Sequence, residues 1–332
     1  MRGNPQQTSE FQGSDGAERL KVRTTIGSSW GIRDFAPGFE EESDSRLRIV
    51  KSTLSRLLAG ALALVLLVFA ALWAWSRHFA ASPELPPRAA PVVLERSVRV
   101  AIIGDSWAAG RKLDDFVAEE LGRRGWEVEI ISRGHPGAKS RTILNNLLAS
   151  EDKPHSSRDV LFGRPVHAAV VIAGVNDSQG YIGADHYAHH VTLIAEALRQ
   201  RGIHPMVVEL PEYGIEHATS SDPLGQVRRR LMRRIYHGDR VDVIPMYRAA
   251  LEQALAPRLA RGQVDLIDFD PVTADFHRSR DLFLPDAIHL SEKGRRVLAR
   301  QIGAALDARL RRLAERRPDQ VGSASGSSRP PA

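Results

Sequence analysis

The chain contains no cysteine. That excludes disulfides, Cys-ligated zinc and a thiol nucleophile, and it leaves the compartment open, because exported proteins also do without cysteine. Aromatic residues are scarce, at 6% of 332 residues, and the Lys and Arg residues form no long block. The formal charge of +6 is spread along the chain without basic-aromatic interleaving, so no nucleic-acid partner is expected. The same basic balance suits proximity to anionic lipid or an anionic glycan. Phosphate signatures are missing too. The run Gly134-His135-Pro136-Gly137-Ala138-Lys139-Ser140 has Ala138 and Arg133 where a P-loop needs glycine, and Gly104 to Gly110 does not fit G-x-G-x-x-G.

What the chain does have is one long apolar run, Leu57 to Trp75, close to the length that crosses a bilayer as a helix. Trp73 and Trp75 stand at its end, as interfacial aromatics do. Arg46, Arg48, Lys51 and Arg56 precede it and Arg77 and Arg88 follow, a bias that puts the N-terminal side in the cytoplasm and the rest outside it, as at the periplasmic face of a bacterial inner membrane. A cleaved signal peptide, cut near Phe79-Ala80-Ala81-Ser82, and a buried core helix are the competing readings. The expected organisation is therefore a polar, disordered segment over 1–50, a transmembrane helix over 55–77, a spacer over 78–96 stiffened by Pro83, Pro86, Pro87 and Pro91, a catalytic domain over 97–315, and a Gly/Ser/Pro-rich disordered tail over 316–332.

From residue 97 onward, short apolar runs alternate with amphipathic stretches. Strands are expected at Val98–Ile103, Val128–Ser132, Ala168–Ala173, Met206–Leu210 and Val241–Ile244. Helices are expected at Leu113–Arg124, Ser140–Leu148, 184–201 and 223–236, with a long last helix capped by Ser291. Such alternation predicts an α/β fold with a parallel sheet covered on both faces, and these sheets bind ligands beyond the carboxyl ends of their strands.

Three polar blocks fall near that edge: Gly104-Asp105-Ser106-Trp107, Gly174-Val175-Asn176-Asp177 and Asp286-Ala287-Ile288-His289. Acyl transfer needs a nucleophile, a base, a group that orients the base, and donors for an oxyanion. Ser106 at a strand-to-helix turn can present its hydroxyl, His289 can take the proton, and Asp286 three residues earlier can fix the imidazole tautomer. Asn176 offers side-chain N–H donors, and the backbone N–H groups of Gly137 and Ser106 can join them. Each block alone is also a plausible turn, since Gly, Asn and Asp favour turns; the combination in order carries the argument.

These blocks resemble the SGNH/GDSL hydrolase superfamily: Gly104-Asp105-Ser106 its first block, Gly137 its second-block glycine, Gly174-Val175-Asn176-Asp177 its GxND block and Asp286-Ala287-Ile288-His289 its DxxH block. The resemblance covers about residues 97–315. It implies a flavodoxin-like three-layer α/β/α fold, ester or O-acyl chemistry without metal or organic cofactor, Ser106 as nucleophile, Asp286 and His289 completing the triad, and Ser106, Gly137 and Asn176 forming the oxyanion hole. Trp107 stands where Leu is frequent, and Ser132 where Asn is often found. The expected activity is that of a membrane-anchored esterase or deacylase whose substrate is an acylated envelope glycan or a lipid ester. An O-acyltransferase on an envelope polysaccharide using the same triad, and a non-catalytic glycan- or partner-binding protein, are the alternatives. Selectivity is expected from loops 150–165, 175–185 and 211–222; the oligomeric state is open. His186, His189 and His190 are expected on a solvated helix face rather than on a metal. Arg228, Arg229, Arg230, Arg233 and Arg234 are also expected on a solvated face, with contact to anionic lipid or polysaccharide as the functional alternative.

Overall fold

The computed structural model describes residues 39–78, 83–88, 97–217, 223–269 and 275–315. The backbone separates into two units, Met1–Leu72 and Trp73–Ala332.

The first unit is dominated by α1 (Phe39–His78), which continues past the unit's end. Within it, Lys51–Trp73 has a mean hydropathy of 2.3, and every large apolar side chain from Leu54 to Trp73 is exposed. At 1.5 Å per residue such a stretch rises roughly 34 Å, enough for a hydrocarbon core of about 30 Å. A core helix would bury its leucines; this one buries none, which removes the core-helix reading. The helix begins at Phe39, so residues 39–50 of the segment expected to be disordered are helical. Residues 1–38 and the expected tail lie outside the described residues.

The second unit is built on a five-stranded, wholly parallel sheet: β1 (Ser97–Gly104), β2 (Glu127–Gly134), β3 (Ala168–Ile172), β4 (His204–Val208) and β5 (Asp265–Ile267), in the order β2-β1-β3-β4-β5. This is the flavodoxin-like order, with its switch point between β1 and β3. The inner strands β1, β3 and β4 are buried almost without interruption, because helices cover both faces. On one side α2 (Arg111–Arg123) packs against α9 (Glu292–Glu315); on the other α6 (Ala184–Gln200) packs against α3 (Ser140–Leu148) and α8 (Ile244–Leu259). Shorter helices are α4 (Asp159–Phe162) and α5 (Val175–Gln179), and α7 (Pro223–His237) lies between β4 and α8 in the chain. The cap expected at Ser291 is in place: its Oγ accepts the Gly294 N–H at 3.1 Å.

Val241–Ile244 is not a strand. Pro245 at the first turn of α8 favours a helix start, and the β-branched run before it is too short to pair. The fifth strand is Asp265–Ile267, only three residues long and too short to show a period in sequence. The histidines of α6 share the expected solvated face only in part: His189 is exposed and His186 half-buried, but His190 is buried. His190 is 3% exposed, donates through its Nδ1–H to the His186 carbonyl at 2.7 Å, and has its pKa pushed down to about 4 chiefly by burial. Since α6 is sandwiched between helices, its apolar stripe is wide enough to include position 190. Among the described residues no group of three metal-ligating side chains occurs. Lastly, the arginines of α7 divide: Arg228, Arg230 and Arg234 are exposed, whereas Arg229 and Arg233 turn inward over the Tyr181 ring, with Cζ 5.5 and 6.0 Å from its centroid.

Part of the expected spacer is bound to the domain. The Leu85 N–H donates to Gln200 Oε1 at 2.9 Å, Arg201 Nη1 donates to the Pro86 carbonyl at 2.6 Å, and Arg88 Nη2 donates to the Leu161 carbonyl at 3.3 Å.

Candidate active site

The switch point sets the site. In the sheet register Gly104 stands beside Gly134 on one side and Ile172 on the other, so the loops after β1, β2 and β3 leave from one row. Gly104 has no room for a side chain: a Cβ there would meet the Ile172 carbonyl oxygen at 2.1 Å. The chain then turns at once. The Asp105 N–H donates to the Ile172 carbonyl at 3.2 Å, the Trp107 N–H donates to Asp105 Oδ1 at 2.9 Å, and the Ala108 N–H donates to the Asp105 carbonyl at 3.2 Å. This turn leaves Ser106 half-buried between the buried Asp105 and Trp107. Asp105 is fully buried, and loss of solvation, with Asp177 nearby, pushes its carboxyl up to about 7.

The loop after β2 is fastened to the same turn. The His135 N–H donates to the Gly104 carbonyl at 2.9 Å, and Ser132 Oγ donates to the Ala108 carbonyl at 2.8 Å. Ser132, the departure noted in the sequence, thus holds the turn that follows Ser106. Gly137 sits at φ +76°, a left-handed conformation that favours glycine. Neither the Ser106 nor the Gly137 backbone N–H donates to any acceptor among the described residues, and Ser106 Oγ makes no hydrogen bond there either.

Asn176 Nδ2 donates to the Ala138 carbonyl at 3.0 Å, which brings the loop after β3 to the loop after β2. Its neighbour Asp177 makes the stronger join, which the sequence did not reveal. Asp177 Oδ2 accepts the Ser140 N–H at 2.9 Å and Oδ1 accepts the Ser140 hydroxyl at 2.7 Å, so it caps the start of α3 from across the site. Burial nonetheless raises its carboxyl above the usual range, the Ser140 bonds opposing. The visible signal was an Asp at the end of GxND and a Ser opening a helix; their meeting across 37 residues was not visible.

Asp286 and His289 form a second compact unit. Asp286 Oδ1 accepts the backbone N–H groups of Ile288 and His289, each at 2.9 Å, and Oδ2 meets His289 Nδ1 at 2.6 Å. Burial acts to raise Asp286, but the His289 ring and these two N–H groups outweigh it and hold the carboxyl below its ordinary value. Ala287 lies at φ +61°, and its carbonyl accepts the Gly214 N–H at 2.9 Å, tying the loop to the segment after β4. The Phe283 ring lies 6.4 Å from that of Trp107, so the segments around Ser106 and His289 pack against each other. No hydrogen bond joins the two residues, and His289 Nε2 has no partner among the described residues.

The GDSL-like lipase/acylhydrolase family, as a sequence model, matches residues 102–297. No curated protein matches the chain. Solved structures similar to it include a lipase/acylhydrolase from Enterococcus faecalis, 17% identical over 64% of this chain and 96% of that one, with a TM-score of 0.47. A family 3 carbohydrate esterase from Clostridium thermocellum is 15% identical over 66% and 99%, with a TM-score of 0.47. A psychrotrophic esterase from Pseudoalteromonas sp. is 12% identical over 65% and 100%, with a TM-score of 0.46.

Proposed function

The chain belongs to the GDSL-like lipase/acylhydrolase family and is a serine ester hydrolase, and from that premise we propose that Ser106, His289 and Asp286 carry out the reaction on an O-acylated envelope glycan or lipid ester at a membrane. Ser106 Oγ attacks the acyl carbonyl while His289 Nε2 takes its proton. Asp286 Oδ2 accepts the Nδ1–H, which leaves Nε2 as the nitrogen able to act as base, and the carboxylate stabilises the imidazolium as it forms. The oxyanion is received by the Ser106 and Gly137 N–H groups and by Asn176 Nδ2. The imidazolium returns its proton to the leaving alcohol. Water, deprotonated by the same His289, then attacks the acyl-serine; the acyl–Oγ bond breaks, His289 returns the proton to Ser106 Oγ, and the carboxylic acid is released.

The observation that carries this reading is the Asp286–His289 couple: one ring nitrogen is bonded to a carboxylate that is itself pinned by two N–H groups, and the other has no partner among the described residues. That Ser106 Oγ and Nε2 are not yet bonded is compatible with it, since catalytic hydrogen bonds often tighten only with substrate bound. The exposed span Lys51–Trp73 supports the membrane placement. The positive charges before it support a cytoplasmic N-terminus and an extracytoplasmic domain.

The test is fluorophosphonate labelling and acetyl-ester turnover by the full chain in detergent. Wild type should label and turn over, and Ser106→Ala should do neither. Equal turnover by both proteins would overturn the assignment of Ser106.

A further inference from the structure

Helix α7 is amphipathic in the reverse sense. Leu224, Val227, Leu231 and Ile235 recur at three- and four-residue spacing and so share a face. Their exposures are 77, 62, 55 and 61%, so that face points away from the domain. The inward side carries Arg229 and Arg233 over Tyr181, and the buried His237. The exposed Arg228, Arg230 and Arg234 flank the apolar stripe, and none of the three has an ion-pair or hydrogen-bond partner among the described residues. The helix contains no Asp or Glu.

An apolar stripe rimmed by cations is the pattern of a helix lying in the plane of a membrane interface. We propose that α7 docks on the surface of a bilayer containing anionic phospholipid, with Leu224, Val227, Leu231 and Ile235 entering the acyl boundary and Arg228, Arg230 and Arg234 meeting the phosphates. A second copy of the chain fits less well, because two such faces would oppose their arginines with no carboxylate on the helix to neutralise them. An acidic polysaccharide would engage the arginines and leave the apolar stripe in water.

The location gives docking a consequence. Tyr181, under the α7 arginines, follows Asn176 by five residues, and Tyr236 borders Gly183. The helix therefore lies at the sheet edge that carries Ser106, and docking would hold the mouth of the site at the lipid surface. The proposal goes beyond the hydrolase reading and takes from it only the membrane span, which makes docking an intramolecular step with a high effective concentration.

Because the chain has no cysteine, single labels can be placed at will. Leu231→Cys on α7, Leu64→Cys in the span and Glu151→Cys beyond the far end of α3 each receive an environment-sensitive fluorophore. The full chain is reconstituted in nanodiscs of phosphatidylcholine, with or without phosphatidylglycerol, containing acyl-chain quenchers. The label at 231 should be quenched in phosphatidylglycerol discs and much less in phosphatidylcholine alone; the label at 151 should not respond. Combined Arg228→Gln, Arg230→Gln and Arg234→Gln should weaken docking by roughly fivefold per arginine. Unchanged soluble-ester turnover and melting temperature would show that this variant is folded. Quenching at 64 without quenching at 231 overturns the docking and leaves the anchor standing. Quenching at 231 without quenching at 64 supports docking and overturns the anchor. Protection of 231 that depends on protein concentration, or on added acidic polysaccharide, without lipid quenching also overturns it.

Discussion

At the scale of single residues the decisive contact is the one at Asp286. Both of its oxygens are committed, Oδ1 to two backbone N–H groups and Oδ2 to the His289 ring. Asp286→Asn keeps the shape but presents an amide to one of these partners, and the ring loses the acceptor that fixes its tautomer. By analogy with serine proteases, kcat for a small acetyl ester should fall by about three to four orders of magnitude, with KM little changed. Steady-state kinetics decides this, and a loss of less than tenfold would remove Asp286 from the machinery. Asp105 acts differently. Its folded carboxyl titrates at about 7 and its unfolded one at 3.8. Between those values the native state binds more protons than the unfolded one. Its contribution is thus full below the unfolded value and is lost as pH rises toward 7. Asp105→Asn should flatten the fall in melting temperature across that window, read by calorimetry at a series of pH values. A profile as steep as that of the wild type would place the pH dependence elsewhere, for instance at Asp177.

At the scale of elements the site is a meeting of loops, and the join that matters most is Asp177 with the start of α3. Ser140→Ala removes the hydroxyl donor from a buried carboxylate while leaving the backbone donor. A cost of about 1–3 kcal/mol is expected in urea unfolding. Gly137 precedes Ser140 by three residues, so kcat should fall as well; unchanged kcat at reduced stability would make the tie purely structural. This join also marks the limit of what sequence alone discloses. β1, β3 and β4 were legible because central parallel strands are nearly continuous apolar runs. The last helix was legible because Ser291 caps it and its stripe has a helical period. Asp286 and His289 were legible because three residues separate them, so local geometry suffices. β5 was too short to show a period, and Val241–Ile244 had strand residues in front of a helix-starting proline. The Asp177–Ser140 pair, and the inward turn of Arg229 and Arg233, depend on tertiary packing that no local pattern encodes.

At the scale of the whole molecule, the chain joins an ester hydrolase domain to an apolar helix, and the side of the membrane on which the domain lies decides which esters it can meet. Arg46, Arg48, Lys51 and Arg56 stand before the span, against Arg77 and Arg88 after it. Positive charge close to a span is retained in the cytoplasm, so the domain should be exported. The spacer limits how far it can then go. Helix α1 continues to His78 and Leu85 is hydrogen-bonded to Gln200, which leaves six residues between them, a length that extended chain covers in at most about 25 Å. If Lys51–Trp73 crosses a membrane, so short a link would restrict the domain to esters in or beside it, whatever its intrinsic selectivity. With no native cysteine, Lys153→Cys supplies a single exposed thiol on the domain. In spheroplasts a membrane-impermeant maleimide should label it without lysis, and the protein should stay with the membranes through a high-salt wash. Labelling only after lysis would reverse the orientation and move the substrate to the cytoplasmic side. Release of a shortened, labelled domain into the medium would instead identify a cleaved leader, and with it an enzyme free to reach esters well beyond the tether's length.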